Sequence, residues 1–178
     1  MNPFDLSNKV ICVTGASSGI GRQCAVSCSR MGATVVLLAR NEQRLHETLS
    51  IMDNPDKHVI IPVDLTEYAT VELVVKNIVS QVGRISGVLH CAGISTTLPL
   101  KLVTPEKLDE FFQANVFSAY NLTREVCKMG NFSKEGGSIV FFSSVMGKVG
   151  ENGKSLYGMT KGALVSGTRS LACELAKK

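Results

Sequence analysis

The chain has 178 residues, a net charge of +4, and a composition of 44% apolar and 19% charged residues. This length fits one domain, and the balance of apolar and charged residues excludes intrinsic disorder. No apolar run reaches the ~20 residues that cross a bilayer, and the lysines and arginines are scattered, which argues against a membrane or nucleic-acid partner. We therefore predict one soluble, globular domain over residues 1–178.

The cysteines give no sign of a metal site. They include no C-x-x-C pair and no His–Cys group with zinc-ligand spacing, and apolar neighbours surround most of them, as is typical of reduced buried thiols. The first residues, Met1 to Asp5, lack the basic segment and the apolar stretch of a secretory signal. We expect a cytoplasmic protein without a metal.

Short, β-branched apolar runs alternate with longer segments of helical periodicity along the chain. The predicted strands are Val10–Thr14, Thr34–Ala39, Val59–Val63, Gly87–Cys91 and Ser138–Ser143. The predicted helices lie near residues 19–31, 41–52, 66–82, 105–129 and 155–177. Because strand and helix alternate without hairpin turns, the order predicts a doubly wound parallel sheet of the Rossmann type, with strands buried on both faces.

A glycine-rich turn, Thr14–Gly21, joins the first predicted strand to the first helix. Free backbone N–H groups at the start of a helix suit a pyrophosphate. Gly15 permits the dihedral angles of the turn, Gly19 lets a phosphate approach, and Gly21 lets helix and strand pack closely. The alternative is a tight turn without a ligand. The residues predicted to bind a dinucleotide here are Gly15, Ser17, Ser18, Gly19, Ile20 and Gly21.

Charged residues follow the second and third predicted strands. An NAD site places a carboxylate at the tip of the second strand, where this chain has Arg40, whose guanidinium suits a 2′-phosphate. This favours NADP; the alternative is a solvated arginine, with Glu42 binding the ribose instead. Asp64 and Leu65 follow the third strand, and Asp64 by itself would be a helix N-cap.

Four polar residues later in the chain form a candidate catalytic group. Tyr157 and Lys161 are four residues apart on one helix face, and a nearby ammonium favours a phenolate. Ser144 follows the fifth strand, where open parallel sheets bind ligands. Asn115 is a polar group on an apolar helix stripe and needs a partner, which is either a catalytic group or the backbone. Small residues beside the pair permit close approach by a cofactor or a second helix: Gly158, Gly162 and Ser166.

The glycine turn, together with the order and spacing of these four polar residues, resembles the short-chain dehydrogenase/reductase family from about Lys9 to the last residue. The resemblance implies that Tyr157 donates a proton to a substrate carbonyl as hydride arrives from a nicotinamide, and that Ser144 stabilises the developing oxyanion. It also implies that Lys161 binds the nicotinamide ribose, that Asn115 holds a water in a proton relay, and that the carboxylate after the third strand contacts the adenine.

The chain departs from the family after the fourth strand, where His90-Cys91-Ala92-Gly93 stands in place of Asn-Asn-Ala-Gly or Asn-Ala-Gly. Cys91 replaces an amide that ties strands together, so hydrogen bonding there must change, while Ala92 and Gly93 still allow a cofactor to pass. We interpret Cys91 as a buried thiol rather than a nucleophile, and His90 as a strand histidine rather than a base. The resemblance also implies further strands and a substrate lid after the last helix, so we expect a C-terminally incomplete sequence.

These features predict an oxidoreductase that transfers hydride between NADP(H) and a carbonyl or secondary alcohol. The first substrate class is a 3-oxoacyl thioester, followed by a steroid, a sugar or another small ketone. The alternative is a cofactor-binding but inactive regulatory or structural subunit; a methyltransferase of similar fold would not need Ser144, Tyr157 and Lys161. The resemblance implies a homodimer or homotetramer that associates through the helices carrying Asn115 and Tyr157.

Overall fold

The computed structural model describes residues 4–176. The strands are β1 (Val10–Thr14), β2 (Thr34–Ala39), β3 (Val59–Pro62), β4 (Gly87–His90) and β5 (Ser138–Phe141). The helices are α1 (Gly19–Arg30), α2 (Glu42–Leu49), α3 (Tyr68–Val82), α4 (Pro105–Phe112), α5 (Ser118–Val126) and α6 (Ser155–Leu175). All strands are parallel, in the order β3-β2-β1-β4-β5, which confirms the predicted doubly wound sheet.

The two faces of the sheet have separate apolar cores. Val35 and Leu37 of β2 point to the face covered by α1 and α2, where they pack with residues such as Leu45. Val36 and Leu38 point to the other face, which α3 and α5 cover. This alternation along a wholly apolar strand is what a parallel sheet with helices on both faces requires.

The strands differ in burial according to their position in the sheet. Every residue of β1 is buried, as predicted, because β1 lies in the middle of the sheet. The prediction that all strands are buried on both faces is wrong for β5, which lies at one edge and leaves Val140 38% exposed. The other edge strand, β3, is also only partly buried. An edge strand has a neighbour on one side only, so its apolar sequence does not guarantee burial.

The ends of three strands were predicted too late. β3, β4 and β5 end at Pro62, His90 and Phe141, one or two residues before the predicted positions. β4 and β5 end together, because His90 and Phe141 form their last register pair. Beyond these pairs the backbone leaves the sheet and forms the loops that border the functional site.

The continuous helix predicted near residues 105–129 is wrong. Thr104 accepts a hydrogen bond from the N–H of Lys107 and so caps α4, but α4 and α5 are separated by a π-helical turn, Gln113–Phe117. The second helix then ends at Val126. A π turn widens the helix locally and is often found at functional sites. The predicted end of the last helix, at residue 177, lies outside the described residues.

Candidate functional site

A cleft of about 910 Å³ opens at the carboxyl ends of the central strands. Every predicted dinucleotide-binding residue outside α6 lines this cleft. They are Gly15, Ser17, Ser18, Gly19, Ile20, Gly21, Arg40, Asp64, Leu65, Cys91, Ala92 and Gly93. The fold therefore brings together segments that are as much as 78 residues apart in the sequence, as the hydrogen bond between Thr14 and Ala92 illustrates.

The glycine turn has the geometry of a phosphate cradle. Gly15 has a φ of +65°, and a Cβ on it would lie 3.0 Å from the backbone of Ala92. A Cβ on Gly21 would lie 2.2 Å from the carbonyl oxygen of Gly15, so any side chain there would displace the turn. The Ser18 side chain makes no capping hydrogen bond to α1, and a Cβ on Gly19 would have open space within 4 Å. The uncapped, open start of α1 fits the pyrophosphate of a dinucleotide.

The charged residues on the β2 and β3 side of the cleft face each other. Arg40 Nη1 lies 3.7 Å from Asp64 Oδ2, while Asp64 Oδ1 accepts hydrogen bonds from the N–H and the hydroxyl of Thr66. Burial by itself raises the pKa of Asp64, but the Thr66 hydrogen bonds and the Arg40 charge outweigh it and leave that pKa below its usual value. Asp64 as the N-cap of α3 is wrong: that position belongs to Glu67, because Asp64 caps the preceding turn.

The departures after β4 are accommodated within the sheet. The Oγ1 of Thr14 accepts the N–H of Ala92 at 3.0 Å, and this bond ties β1 to the turn beyond β4. Burial raises the pKa of Cys91 to about 12, which fits an unreactive thiol. His90 is buried, its Nε2 lies 2.9 Å from Thr123 Oγ1, and its ring stacks on Phe141. Burial lowers the pKa of His90 to about 3, so the imidazole is neutral and too weak a base to act as a general base.

Within residues 4–176 the cysteines form no disulfide with one another. Between residues 4 and 176 no three His, Cys, Asp or Glu side chains are grouped in a way that could hold a metal ion. Within the same range, none of the helices combines the length and hydrophobicity that crossing a bilayer demands.

Lys161 is the centre of the candidate catalytic group. It is 6% exposed, and its Nζ donates a hydrogen bond to the carbonyl oxygen of Phe142 at 2.7 Å. The Nζ lies 5.8 Å from the centre of the Tyr157 ring and 3.6 Å from the position of a Cβ on Gly93. Burial lowers the pKa of Lys161. An ammonium has three hydrogens, so Lys161 can still donate towards a ligand that passes over Gly93.

The two adjacent serines after β5 have different roles. Ser143 donates its hydroxyl hydrogen to the carbonyl oxygen of Lys161 at 2.9 Å and so fixes the end of β5 to α6. The Ser144 hydroxyl accepts the N–H of Met146 at 3.2 Å, which leaves its own hydrogen available to a ligand. Ser144 is therefore the serine whose hydroxyl can donate to a ligand. Ser143 holds it beside α6, the helix that carries Tyr157 and Lys161.

Asn115 lies in the π turn and is 1% exposed. Its Oδ1 accepts the N–H of Ile94 at 2.7 Å, and its Nδ2 donates to the Ile94 carbonyl at 2.9 Å and to Thr160 Oγ1 at 3.0 Å. Thr160 in turn donates to the carbonyl oxygen of Tyr157 at 2.8 Å. The amide therefore has the backbone partner that was one of the two sequence-based expectations, and it joins the loop after β4 to the Tyr–Lys helix.

The row of small residues on α6 packs against its own chain. A Cβ on Gly158 would lie 2.8 Å from the carbonyl oxygen of Met146, and a Cβ on Gly162 would lie 3.6 Å from that of Gly147. Both oxygens belong to a 3₁₀ turn, Val145–Gly147, that follows β5. The turn therefore occupies the space beside Gly158 and contacts Gly162, while the approach of a cofactor or a second helix to this row stays a prediction.

Sequence reasoning missed several residues of the site. Arg44 and Gln113 line the cleft, and the hydroxyl of Tyr68 donates to the side chain of Gln113 at its rim. The position of Arg44, four residues after Arg40, was a usable signal because it places a second guanidinium at the start of α2. Thr160 had no signal, since only the tertiary structure brings it to Asn115.

An open parallel sheet with a glycine turn, an uncapped helix start and a half-buried tyrosine beside a buried lysine defines a dinucleotide-binding dehydrogenase. The family model described as "short chain dehydrogenase" matches residues 9–178. The chain belongs to the short-chain dehydrogenase/reductase family and is an oxidoreductase by that membership. Membership of this family does not favour the alternative prediction of an inactive regulatory or structural subunit.

Similar proteins agree in fold and sequence. A 3-oxoacyl-(acyl-carrier-protein) reductase of Escherichia coli is 28% identical over 175 residues, which are 98% of this chain and 70% of that protein. A short-chain dehydrogenase of Streptomyces avermitilis superposes with a TM-score of 0.88 and 31% identity, covering 95% of this chain and 61% of its own. A Shigella flexneri protein described as a short chain dehydrogenase, complexed with NADP, superposes with a TM-score of 0.87 and 33% identity. The match covers 95% of this chain and 72% of that protein.

Proposed function

We propose that this chain, as one domain over residues 1–178, binds NADP(H) and transfers hydride between it and a carbonyl or secondary alcohol. The observation that carries the proposal is Arg40, which lies at the tip of β2 on the same cleft as the glycine turn. Its side chain is 76% exposed, and its ion pair with Asp64 is 3.7 Å long. An exposed ion pair contributes ~0–1 kcal/mol, so a 2′-phosphate can displace it. Arg44 supplies a second guanidinium to the same lining.

The position of Glu42 also supports NADP over NAD. Glu42 is the residue that would bind the ribose of NAD, but it begins α2 and is absent from the cleft lining. Its carboxylate lies 4.0 Å from His46 on the outer surface of the helix. The Shigella flexneri neighbour is complexed with NADP, which agrees with this preference.

The reducing step needs a proton donor and an oxyanion partner beside the bound cofactor. NADPH, when bound, supplies a hydride to the carbonyl carbon of the substrate. Tyr157 donates its phenolic proton to the carbonyl oxygen as negative charge develops there. Ser144 donates its free hydroxyl hydrogen to the same oxygen and stabilises that charge.

Lys161 and Asn115 support this chemistry. The Lys161 ammonium favours the phenolate that Tyr157 becomes after it gives up its proton, and its remaining hydrogens bind ribose hydroxyls. Asn115 fixes the loop at Ile94 and, through Thr160, the helix that carries Tyr157. In the proposed proton relay, Asn115 would hold a water. Its side-chain nitrogen already donates to the Ile94 carbonyl and to Thr160 Oγ1.

The substrate class that we propose first is a 3-oxoacyl thioester. The Escherichia coli relative is a 3-oxoacyl-(acyl-carrier-protein) reductase and matches 98% of this chain. A steroid, a sugar or another small ketone is the second choice. Turnover with a 3-oxoacyl thioester, compared with a simple cyclic ketone, separates these classes.

Titration calorimetry tests the cofactor. The wild-type chain should bind NADPH more tightly than NADH, and Arg40→Ala should weaken NADPH binding by about ten- to hundredfold, because a charge-assisted hydrogen bond contributes ~1.5–3 kcal/mol. NADH binding should change little. Arg84→Ala, at an arginine away from the cleft, is the matched control. Equal losses for both cofactors would assign Arg40 a structural role.

We also propose a homodimer or homotetramer in the cytoplasm. Three large side chains are exposed: Phe117 in the π turn, Tyr120 on α5 and Met159 on α6. We propose that they form a surface on which two copies of the chain associate. Cysteines that form no disulfide within the described part of the chain favour a reducing compartment. Light scattering should give a multiple of the 19.1 kDa chain mass, and a monomer would reject the interface.

A further inference from the structure

Arg22 lies in the first turns of α1, directly after the last glycine of the phosphate-binding turn, and it points away from the cleft towards α2. Its Nη2 donates to the carbonyl oxygen of Ser17 at 2.7 Å and lies 3.1 Å from Glu47 Oε2. Its Nε donates to Thr48 Oγ1 at 3.0 Å. One guanidinium therefore holds the turn and α2 at the same time.

Thr48 makes a second link between the same two elements. It is fully buried, and its hydroxyl lies 2.9 Å from the carbonyl oxygen of Ala16. The carbonyl of Ala16 is thus bonded directly to Thr48 of α2, and the carbonyl of Ser17 is linked to the same threonine through Arg22. Because the hydroxyl of Thr48 also accepts from Arg22, the two links depend on each other.

The two elements that Arg22 joins line different parts of the cleft. The turn contributes Ser17 and its neighbours, and the start of α2 contributes Arg44, four residues after Arg40 at the tip of β2. Arg22 itself is absent from the lining. In the proposed function, the turn faces the pyrophosphate and the two arginines face the 2′-phosphate. The spacing between the two phosphate sites therefore depends on how α2 packs against the turn.

We propose that Arg22 is a positioning residue that sets the preference for NADP(H) by holding α2, and with it Arg40 and Arg44, in register with the phosphate-binding turn. The inference rests on the proposed cofactor. A planar guanidinium donates in several fixed directions, and a lysine ammonium or a glutamine amide cannot reproduce this bridge. Loss of the bridge therefore weakens the arginine contacts to the 2′-phosphate more than the backbone contacts to the pyrophosphate.

The test is titration calorimetry of the full chain with NADPH and NADH, for the wild type and for Arg22→Gln. We expect NADPH affinity to fall about tenfold, since hydrogen bonds to charged groups are involved, and NADH affinity to fall by less than about threefold. Arg30→Gln, at the far end of the same helix, is the matched control and should leave both affinities unchanged. Thr48→Val removes the buried hydroxyl at nearly constant volume and should lower the NADPH to NADH affinity ratio in the same direction, which keeps the test open if Arg22→Gln folds poorly.

A double-mutant cycle with Arg40→Ala separates positioning from general stabilisation. If Arg22 acts through Arg40, the combined variant loses less NADPH affinity than the product of the two single losses. Equal loss of NADPH and NADH, or strictly multiplicative losses in the cycle, would overturn the inference while leaving the cofactor assignment intact. A wild-type chain that binds neither cofactor, or prefers NADH, would overturn the proposed function itself.

Discussion

Two openings of nearly equal volume differ in almost every other respect. The cleft beside β1, β2 and β4 measures about 910 Å³ and is lined by glycine backbone, arginines, an aspartate and hydroxyl groups. The groove along β5 and α6 measures about 930 Å³ and is lined largely by apolar side chains such as Ile139, Phe141 and Leu171. Volume alone does not identify a functional site; converging polar groups and unpaired backbone N–H groups do.

The contrast originates in the sheet. β1 and β2 are central strands, fully enclosed by helices, so their ends are held rigidly and can place polar groups accurately. β5 is an edge strand whose residues alternate between exposed and partly buried. An enclosed strand end holds polar groups in place by itself, whereas the open face of β5 offers apolar surface, and Ser144 after that strand is held by the bond from Ser143 to α6.

The largest expected effect is on turnover, through Tyr157 of α6, which lies outside the cleft lining but beside Lys161. Tyr157→Phe removes the phenolic proton donor and should lower carbonyl reduction by at least ~10²- to 10⁴-fold, the usual contribution of general acid catalysis. NADPH binding should stay nearly intact, because the ring remains. Arg84→Ala, at an arginine away from the cleft, is the control for steady-state assays. A rate within threefold of the wild type would contradict the assignment of Tyr157.

The next effect is on stability and compares the central strand with the edge strand. Leu37→Ala deletes a fully buried side chain in β2 and should lower the free energy of unfolding by about 2–5 kcal/mol. Val140→Ala, in β5, should lower it by less than about 1 kcal/mol, since Val140 is already partly solvated. Urea unfolding with an unchanged m-value measures both. Similar losses for the two variants would show that β5 is as tightly packed as β2.

A smaller effect concerns acid stability at the boundary of the two regions, where His90 of β4 stacks on Phe141 of β5. Burial lowers the pKa of His90 to about 3 from 6.5, so between these values the unfolded chain binds a proton that the folded chain does not. The free energy of unfolding should therefore fall as the pH falls below 6.5, by about 2 kcal/mol at pH 5, at ~1.36 kcal/mol per unit.

His90→Asn should remove most of this slope between pH 7 and pH 5, as measured by urea midpoints. His58, whose pKa burial also lowers, adds a smaller slope of the same sign that remains in the variant. An unchanged slope in His90→Asn would show that His90 is solvated in the native state.

Much of the fold could be predicted from the sequence because its signals are local. The bounds of β1 and β2 follow from continuous β-branched runs, and the alternation of strand and helix leaves few topologies. The break between α4 and α5 could not be predicted, because the segment keeps helical periodicity through Asn115. The π turn depends on partners of Asn115 that come from Ile94 and Thr160, far away in the sequence.

The candidate site divides in the same way. The sequence by itself determined which residues are the candidates for the chemistry, since the glycine turn, Arg40 and the Tyr157–Lys161 pair are each recognised from a short stretch of the chain. Only the tertiary structure decided how they are held: Ser143 rather than Ser144 fastens β5 to α6, and Arg22 joins the turn to α2. Spacing along one strand or helix fixes which side chains share a face, but hydrogen bonds between elements depend on distances that arise only when the sheet and its helices pack.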